Sequence, residues 1–122
     1  MGLFGKRQTE PAQKAEPVIE QGVKQEIVET NLTDKMLRVE LEGDEAYVRY
    51  PEVKENGDNI RIVADGIIIA EVGKRGKARA ELEPYVSRRA KAASIRVKTG
   101  DYGEYYRLRL TFETNTATIT IE

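Results

Sequence analysis

The chain has 122 residues, of which 34% are charged and 39% hydrophobic, with a formal net charge of −1. This length predicts one small domain. Because Cys and His are both absent, disulfides, thiolate chemistry and Ser–His or Cys–His catalysis are excluded, and a zinc site would need carboxylates alone. No apolar run approaches the roughly 20 residues that span a bilayer, so we expect a cytoplasmic protein without a membrane partner.

The start of the chain is predicted to be a tail. Residues 1–33 are rich in Gln, Glu, Lys, Pro and Ala, with only scattered apolar positions. Such a segment buries too little apolar surface to offset the entropy lost on ordering. We therefore expect a disordered N-terminal tail over residues 1–33 and a single β-rich domain over residues 34–122.

The first half of that domain has the periodicity of strands. Alternating apolar and polar residues predict strands over residues 36–42 and 46–50, and composition predicts a loop over residues 54–59. Asp65-Gly66 stands between two β-branched runs, which predicts a hairpin with a tight turn. The nearly continuous apolar run at residues 67–72 predicts a central strand covered on both faces.

A helix with one buried stripe is predicted next. Ala78, Leu82, Val86 and Ala90 follow one another at steps of four residues, the spacing of one helix face. Pro84 interrupts this pattern. We expect either two short turns or a helix that restarts with Pro84 in its first turn, where the missing N–H costs least.

The remaining residues again alternate. Strands are predicted over residues 94–99 and 105–112, joined by a Gly100–Gly103 hairpin loop, and a last strand over residues 117–121 follows a turn at Thr114-Asn115. The predicted fold is therefore mainly β (α+β): a small curled antiparallel sheet or partly open barrel of six to seven strands with one short helix.

Although the net charge is small, acidic and basic residues are distributed unevenly along the chain. Residues 1–73 carry nine Lys and Arg against fifteen Asp and Glu, a net of −6, whereas residues 74–109 carry eleven against four, a net of +7. Because a partner responds to local patches, this excess is compatible with a polyanionic ligand. The alternative is that the charges form solvated faces of a charge-rich protein.

Four cations are predicted to share one sheet face. Arg96 and Lys98 fall on the outward side of one strand, and Arg107 and Arg109 on that of its expected partner, with Tyr105 at the edge. Like charges across a ladder are destabilising, so the cluster requires an explanation. An anionic ligand is one explanation; compensating glutamates or a different register are the others.

Two further groups are candidates. Lys74, Arg75 and Arg79 lie in the loop and first turn of the predicted helix, where free N–H groups and cations suit a phosphate, although a flexible solvated loop explains them equally. The GxxxxGK[ST] spacing of a P-loop is absent. Tyr102 and Tyr105 flank a Gly-rich turn, where they either stack on a base or pack over their own hairpin.

The residues at the joints carry a resemblance to a known family. Arg49-Tyr50-Pro51, Asp58-Asn59-Ile60 and the mid-helix Pro84 make residues 36–113 resemble the HIRAN domain, a barrel-like module of bacterial and phage proteins that is also fused to DNA helicases. Where the family has a Gly-Tyr step before the helix, this chain has Ala70-Glu71. The aromatic-rich segment expected near the first strand has no clear counterpart.

The resemblance implies binding of single-stranded DNA ends, although Glu71 in place of an aromatic weakens that expectation. We expect a non-enzymatic module, without metal or cofactor, that binds single-stranded DNA or another polyanion weakly through a basic face. The candidate nucleic-acid-binding residues are Arg49, Lys74, Arg75, Arg79, Arg96, Lys98, Tyr105, Arg107 and Arg109. The alternative is a protein-interaction or structural module, monomeric or weakly homodimeric, that is tethered by its tail and meets an acidic protein partner.

Overall fold

The computed structural model describes residues 17–121, except for the side chains at positions 17, 18, 118, 120 and 121. Seven strands and one short helix follow one another as β1 (Pro17–Leu32), β2 (Glu45–Arg49), β3 (Glu52–Asn56), β4 (Asn59–Ala64), β5 (Ile67–Val72), α1 (Lys77–Leu82), β6 (Ala92–Gly100) and β7 (Gly103–Ile121). They form two antiparallel sheets, ordered β1-β7-β6-β2 and β3-β4-β5, and within the described residues the sheets do not close into a barrel. The predicted fold class is confirmed.

Contacts divide the chain into two units. Residues 25–113 form the larger unit, and its core takes side chains from both sheets and from α1, among them Leu32, Ile60, Leu82 and Phe112. The described part of the smaller unit, residues 17–24 and 114–121, is a two-stranded ribbon of β1 and β7.

The strand β1 corrects the predicted tail. In the larger unit Val28 and Leu32 are buried, Leu32 completely, while Glu29 and Asn31 between them are exposed. This alternation is that of a half-buried strand, but it covers too few residues to outweigh the polar composition of residues 1–27. The disordered interpretation is therefore wrong over residues 17–32, and residues 1–16 lie outside the described part of the chain.

The first predicted strand, over residues 36–42, is also wrong. A 3-10 turn occupies Asp34–Met36, and the chain that follows makes only an isolated bridge between Leu37 and Ala70. Leu37, Val39 and Leu41 nevertheless pack partly buried against the core. The alternation therefore arises because one side of this segment faces the core, although the segment is not part of a β-sheet.

The predicted loop over residues 54–59 is mostly strand. β3 extends through Asn56, and the turn is confined to Gly57 and Asp58 before β4 begins. The exposed side chains at positions 54–56 resemble a loop because β3 is an edge strand with little to bury there.

The strand β4, rather than β5, is the centre of the three-stranded sheet. Ile60, Ile62 and Ala64 are its buried side, as expected. The predicted central position of β5 is wrong, since it is an edge strand. A register shift between Ile62 and Val63 marks a bulge, and the extra residue it inserts in β5 keeps the apolar run from alternating cleanly.

The hairpin at Asp65-Gly66 is confirmed. Both residues have positive φ, 51° and 77°, which is the requirement of a primed two-residue turn and the reason that glycine suits the second position.

The predicted helical stripe divides into two pieces. α1 ends at Leu82, and a 3-10 turn over Glu83–Tyr85 follows with Pro84 in its first positions. This matches the first alternative above, two short turns, and Pro84 lies in the first positions of the second turn. Ala78, Leu82 and Ala90 are buried, so the buried side of the stripe is confirmed although the helix covers only its first part.

The C-terminal region is one long strand. β6 and the Gly100–Gly103 hairpin are present as expected, but β7 runs without interruption through Thr114 and Asn115. The predicted turn there is wrong. Both positions continue a strand that β1 accompanies, and such pairing between the two ends of the chain is not visible in local composition.

Candidate functional site

The outward side of the four-stranded sheet collects most of the predicted site residues. The ladder places Glu45 opposite Arg96 and Arg96 opposite Arg107, so alternate residues of neighbouring strands share one face. Within the larger unit we call this side the basic face. Its charged and aromatic members are Arg49, Arg96, Lys98, Arg107, Arg109, Glu29, Glu45, Tyr47 and Tyr105, with Ala92, Ser94 and Asn31 between them.

Two carboxylates of the same sheet partly neutralise these cations. Glu45 accepts from Arg96 Nη2 at 2.9 Å, and Glu29 accepts from Arg109 Nε at 2.9 Å. Arg107 Nε donates to the neutral Asn31 Oδ1 at 2.7 Å. The cations therefore share one face in the expected register and are partly compensated by glutamates, which is one of the alternatives that the sequence left open.

A positive balance nevertheless remains on the basic face. Glu113, on the same side of β7, is neutralised by Lys91 at 3.0 Å, and the remaining five Lys and Arg residues exceed the other two carboxylates by three charges. The paired guanidinium groups stay accessible, with side-chain exposures of 56% for Arg96 and 54% for Arg109. Exposed ion pairs contribute only about 0–1 kcal/mol, and a guanidinium group has five N–H donors, so these pairs leave donors for another anion.

Tyr47 is a member of this face that the sequence reasoning missed. It lies on β2 opposite Ser94 and is 63% exposed. A shallow groove beside it is lined by Ala92, Ser94, Arg109 and Thr111. The small side chains leave one side of the aromatic ring uncovered. The signal was present, since Tyr47 alternates with the half-buried Ala46 and Val48.

Tyr105 packs over its own hairpin, the second of the two possibilities left open by the sequence. Gly100 faces it across the hairpin, and a Cβ atom added to that glycine would lie 3.2 Å from Tyr105 Cε1. The ring therefore packs over its own hairpin and is half-buried. Tyr102, in the turn itself, is fully exposed.

The remaining predicted cations lie outside the four-stranded sheet. Lys74 and Arg75 are exposed in the loop before α1. Arg79 has a side chain only 14% exposed, donates to the Asp58 carbonyl and pairs with Glu83 at 3.3 Å. Since α1 has six residues, its dipole is too short to provide the phosphate site that the sequence suggested.

Glu71, the position that departs from the HIRAN pattern, is held within the three-stranded sheet. It accepts from Asn59 Nδ2 at 2.6 Å and from Arg61 Nε at 3.2 Å. The hydrogen bond from Asn59, followed by the hydrogen bond and charge of Arg61, lowers the pKa of Glu71 below its ordinary value against an opposing effect of burial. This carboxylate is therefore engaged by two neighbouring side chains of its own sheet.

A further ion pair lies on the four-stranded sheet, at the limit of the larger unit. Lys91 Nζ donates to Glu113 at 3.0 Å, and Gln25 Nε2 donates to the same carboxylate at 3.0 Å. The hydrogen bond from Gln25, then that from Lys91, lowers the pKa of Glu113, and the contact with Glu113 raises the pKa of Lys91. This pair adds no net charge to the sheet.

The chain matches no family model, no curated protein and no solved structure. The HIRAN resemblance therefore stays a prediction. Among residues 17–121 no helix is long and apolar enough to cross a membrane, and no cluster of three or more acidic side chains is placed to hold a metal ion.

Proposed function

We propose that this protein is a non-enzymatic, cytoplasmic binding module that takes single-stranded nucleic acid on the basic face. One observation carries the proposal. Arg49, Arg96, Lys98, Arg107 and Arg109 share one side of a four-stranded sheet and outnumber the carboxylates there by three.

The arrangement of side chains on the face suits a single strand. An extended single strand can lie along a sheet surface with its phosphates on cations and its bases on side chains. The uncovered ring of Tyr47 next to Ala92 and Ser94 provides such a stacking position.

A charge-reversal experiment tests the proposal. The double variant Arg107→Glu with Arg109→Glu changes the balance of the face from +3 to −1 and should abolish binding of a fluorescently labelled oligothymidylate at low salt, measured by anisotropy. Phosphate contacts provide most of the affinity of such complexes.

The matched control is Lys35→Glu with Lys54→Glu. Both lysines are exposed and lie outside the four-stranded sheet, and their reversal changes the net charge of the protein by the same amount. The control should bind as the parent protein does. Equal losses in both variants, or no binding by the parent protein at low salt, would contradict the proposal.

A further inference from the structure

We propose that residues 20–24 of β1 pair with the same residues of a second copy, antiparallel about a two-fold axis at Gly22. This inference goes beyond the nucleic-acid proposal and concerns only the smaller unit. The interaction surface is the edge of the ribbon formed by β1, and its occupant is another molecule of this chain.

Within the described residues, the ribbon has one edge without a strand partner and a side with exposed apolar residues. β1 is the terminal strand of its sheet, so its outer backbone groups have no strand partner among the described residues. Gly22 lies close to Thr116 of β7: a Cβ atom added to this glycine would be 3.3 Å from Thr116 Oγ1. Ile19, Val23 and Ile119 are between 56% and 63% exposed. A two-stranded ribbon is at best marginally stable in water, and a third and fourth strand stabilise it.

The charge pattern of β1 selects its own copy as the partner. With Gly22 on the axis, Glu20 of each molecule faces Lys24 of the other, which forms two symmetric cross-strand ion pairs. Both side chains are exposed, and neither has an ion pair within the described part of its own chain.

An alternative register is less favourable. Pairing centred on Gln25 would also place a glutamate, Glu26, opposite Lys24. Glu26 is already engaged, since its carboxylate accepts from Tyr85 Oη at 2.8 Å and pairs with Arg88 at 3.4 Å. Pairing centred on Gly22 uses only charges that have no such contact.

The pairing also explains the uncharged side of the ribbon. Ile19, Gln21 and Val23 alternate with the charged positions 20 and 24, so in the paired form they continue onto the corresponding side of the second copy. The result is a four-stranded sheet with one uncharged face, built from two ribbons.

Oligomeric mass measured by light scattering over a range of micromolar concentrations provides the first test. The full chain should approach twice its monomer mass of 13.8 kDa as its concentration rises. A chain that stays monomeric throughout would overturn the proposal.

Charge exchange tests the register. Glu20→Lys alone places two lysines opposite each other, and Lys24→Glu alone places two glutamates opposite each other, so each variant should raise the dimer Kd about tenfold or more. An equimolar mixture of the two variants restores both ion pairs in the heterodimer and should dimerise as the parent chain does. The charge-matched control Lys35→Glu should leave the Kd unchanged.

Each other outcome is informative. If neither single variant changes the dimer Kd, the dimer uses a different surface. If the mixture of the two variants does not regain the parent Kd, the register centred on Gly22 is excluded. Either result overturns the proposal. Circular dichroism of each variant excludes loss of folding as the cause, and because the oligonucleotide is absent from these measurements, their failure is distinct from failure of the nucleic-acid proposal.

Discussion

Tyr47 is the residue on which we expect a base to stack. Its ring is 63% exposed, and loss of a stacked aromatic costs about 1–3 kcal/mol per base. Tyr47→Ala should therefore weaken oligothymidylate binding by roughly 5- to 150-fold while leaving the dependence on salt unchanged, because no phosphate contact is removed.

Tyr47→Phe is the control for this substitution, since it keeps the ring and should bind as the parent does. An oligomer of abasic deoxyribose phosphates should bind the parent and Tyr47→Ala equally. If Tyr47→Ala retains full affinity for oligothymidylate, Tyr47 is not a stacking residue. Anisotropy titrations of the three proteins decide between these results.

Glu29 and Glu45 are expected to limit the affinity of the basic face. They neutralise Arg109 and Arg96 at 2.9 Å, and each repels an approaching phosphate. Glu29→Gln with Glu45→Gln raises the balance of the face from +3 to +5, so oligonucleotide affinity at low salt should increase by about 1.5- to fivefold, which corresponds to the free energy of one exposed ion pair. An unchanged affinity would place the strand elsewhere. Glu55→Gln with Glu42→Gln, exposed glutamates outside the four-stranded sheet, is the control.

Glu71 should contribute a pH-dependent part of the stability. Its pKa is lowered, chiefly by the hydrogen bond from Asn59, so the contribution is fully present above its ordinary pKa and disappears as the pH falls through the lowered value. Glu71→Gln should reduce the free energy of unfolding by about 1–2 kcal/mol at pH 7.

Urea denaturation of both proteins across acidic pH measures this effect. The difference between parent and Glu71→Gln should shrink below about pH 4, where the unfolded-state carboxylate is protonated. A difference that stays constant with pH would mean that the substitution acts through packing rather than through charge.

The segment of β1 within the larger unit is an element of the fold and not a tether. Leu32 is completely buried whereas Ile27 is 55% exposed, and the two residues lie on the same strand. Leu32→Ala should destabilise the protein by about 2–5 kcal/mol because it leaves a cavity in the core. Ile27→Ala should change the free energy of unfolding by about 0.5 kcal/mol or less. Equal midpoints of urea denaturation for these two variants would show that this segment does not belong to the core.

A cluster of side chains holds the same strand against the segment that follows α1. Tyr85 stacks on Phe112 with ring centroids 4.9 Å apart, and the Arg88 guanidinium lies 4.6 Å from the centre of Phe112. Glu26 of β1 accepts from Tyr85 at 2.8 Å, which raises the pKa of Tyr85. Arg88 therefore contacts both Glu26 of β1 and the aromatic ring of Phe112 in the core.

At the scale of the whole molecule, binding should depend on the face and not on the total charge. The net charge is −1, yet the basic face carries a balance of +3. Three to five phosphate contacts predict a slope of about −2 to −3.5 for the logarithm of the binding constant against that of the salt concentration. Titrations at several salt concentrations measure it. A slope near zero would indicate a ligand held by something other than its phosphates.

The sequence was sufficient to predict those features that depend on neighbouring residues of the chain alone. Asp65-Gly66 predicts its turn because few residues accept two successive positive φ angles. The alternation in β4, β6 and most of β7 predicts a buried and an exposed side because neighbouring residues of a strand must face opposite ways. From these two rules the mainly β fold and the common side of Arg96, Lys98, Arg107 and Arg109 could be predicted.

Tertiary structure alone decided the order of the strands and the partners of the cations. β1 gains its place because β7 pairs with it, a contact between distant parts of the chain that neither composition nor periodicity records. Pairing between distant strands also brings Glu29 and Glu45 to the arginines. It likewise places the exposed Tyr47 beside Ser94. Local preferences depend on neighbours in sequence, whereas burial, ion pairing and sheet order depend on neighbours in space.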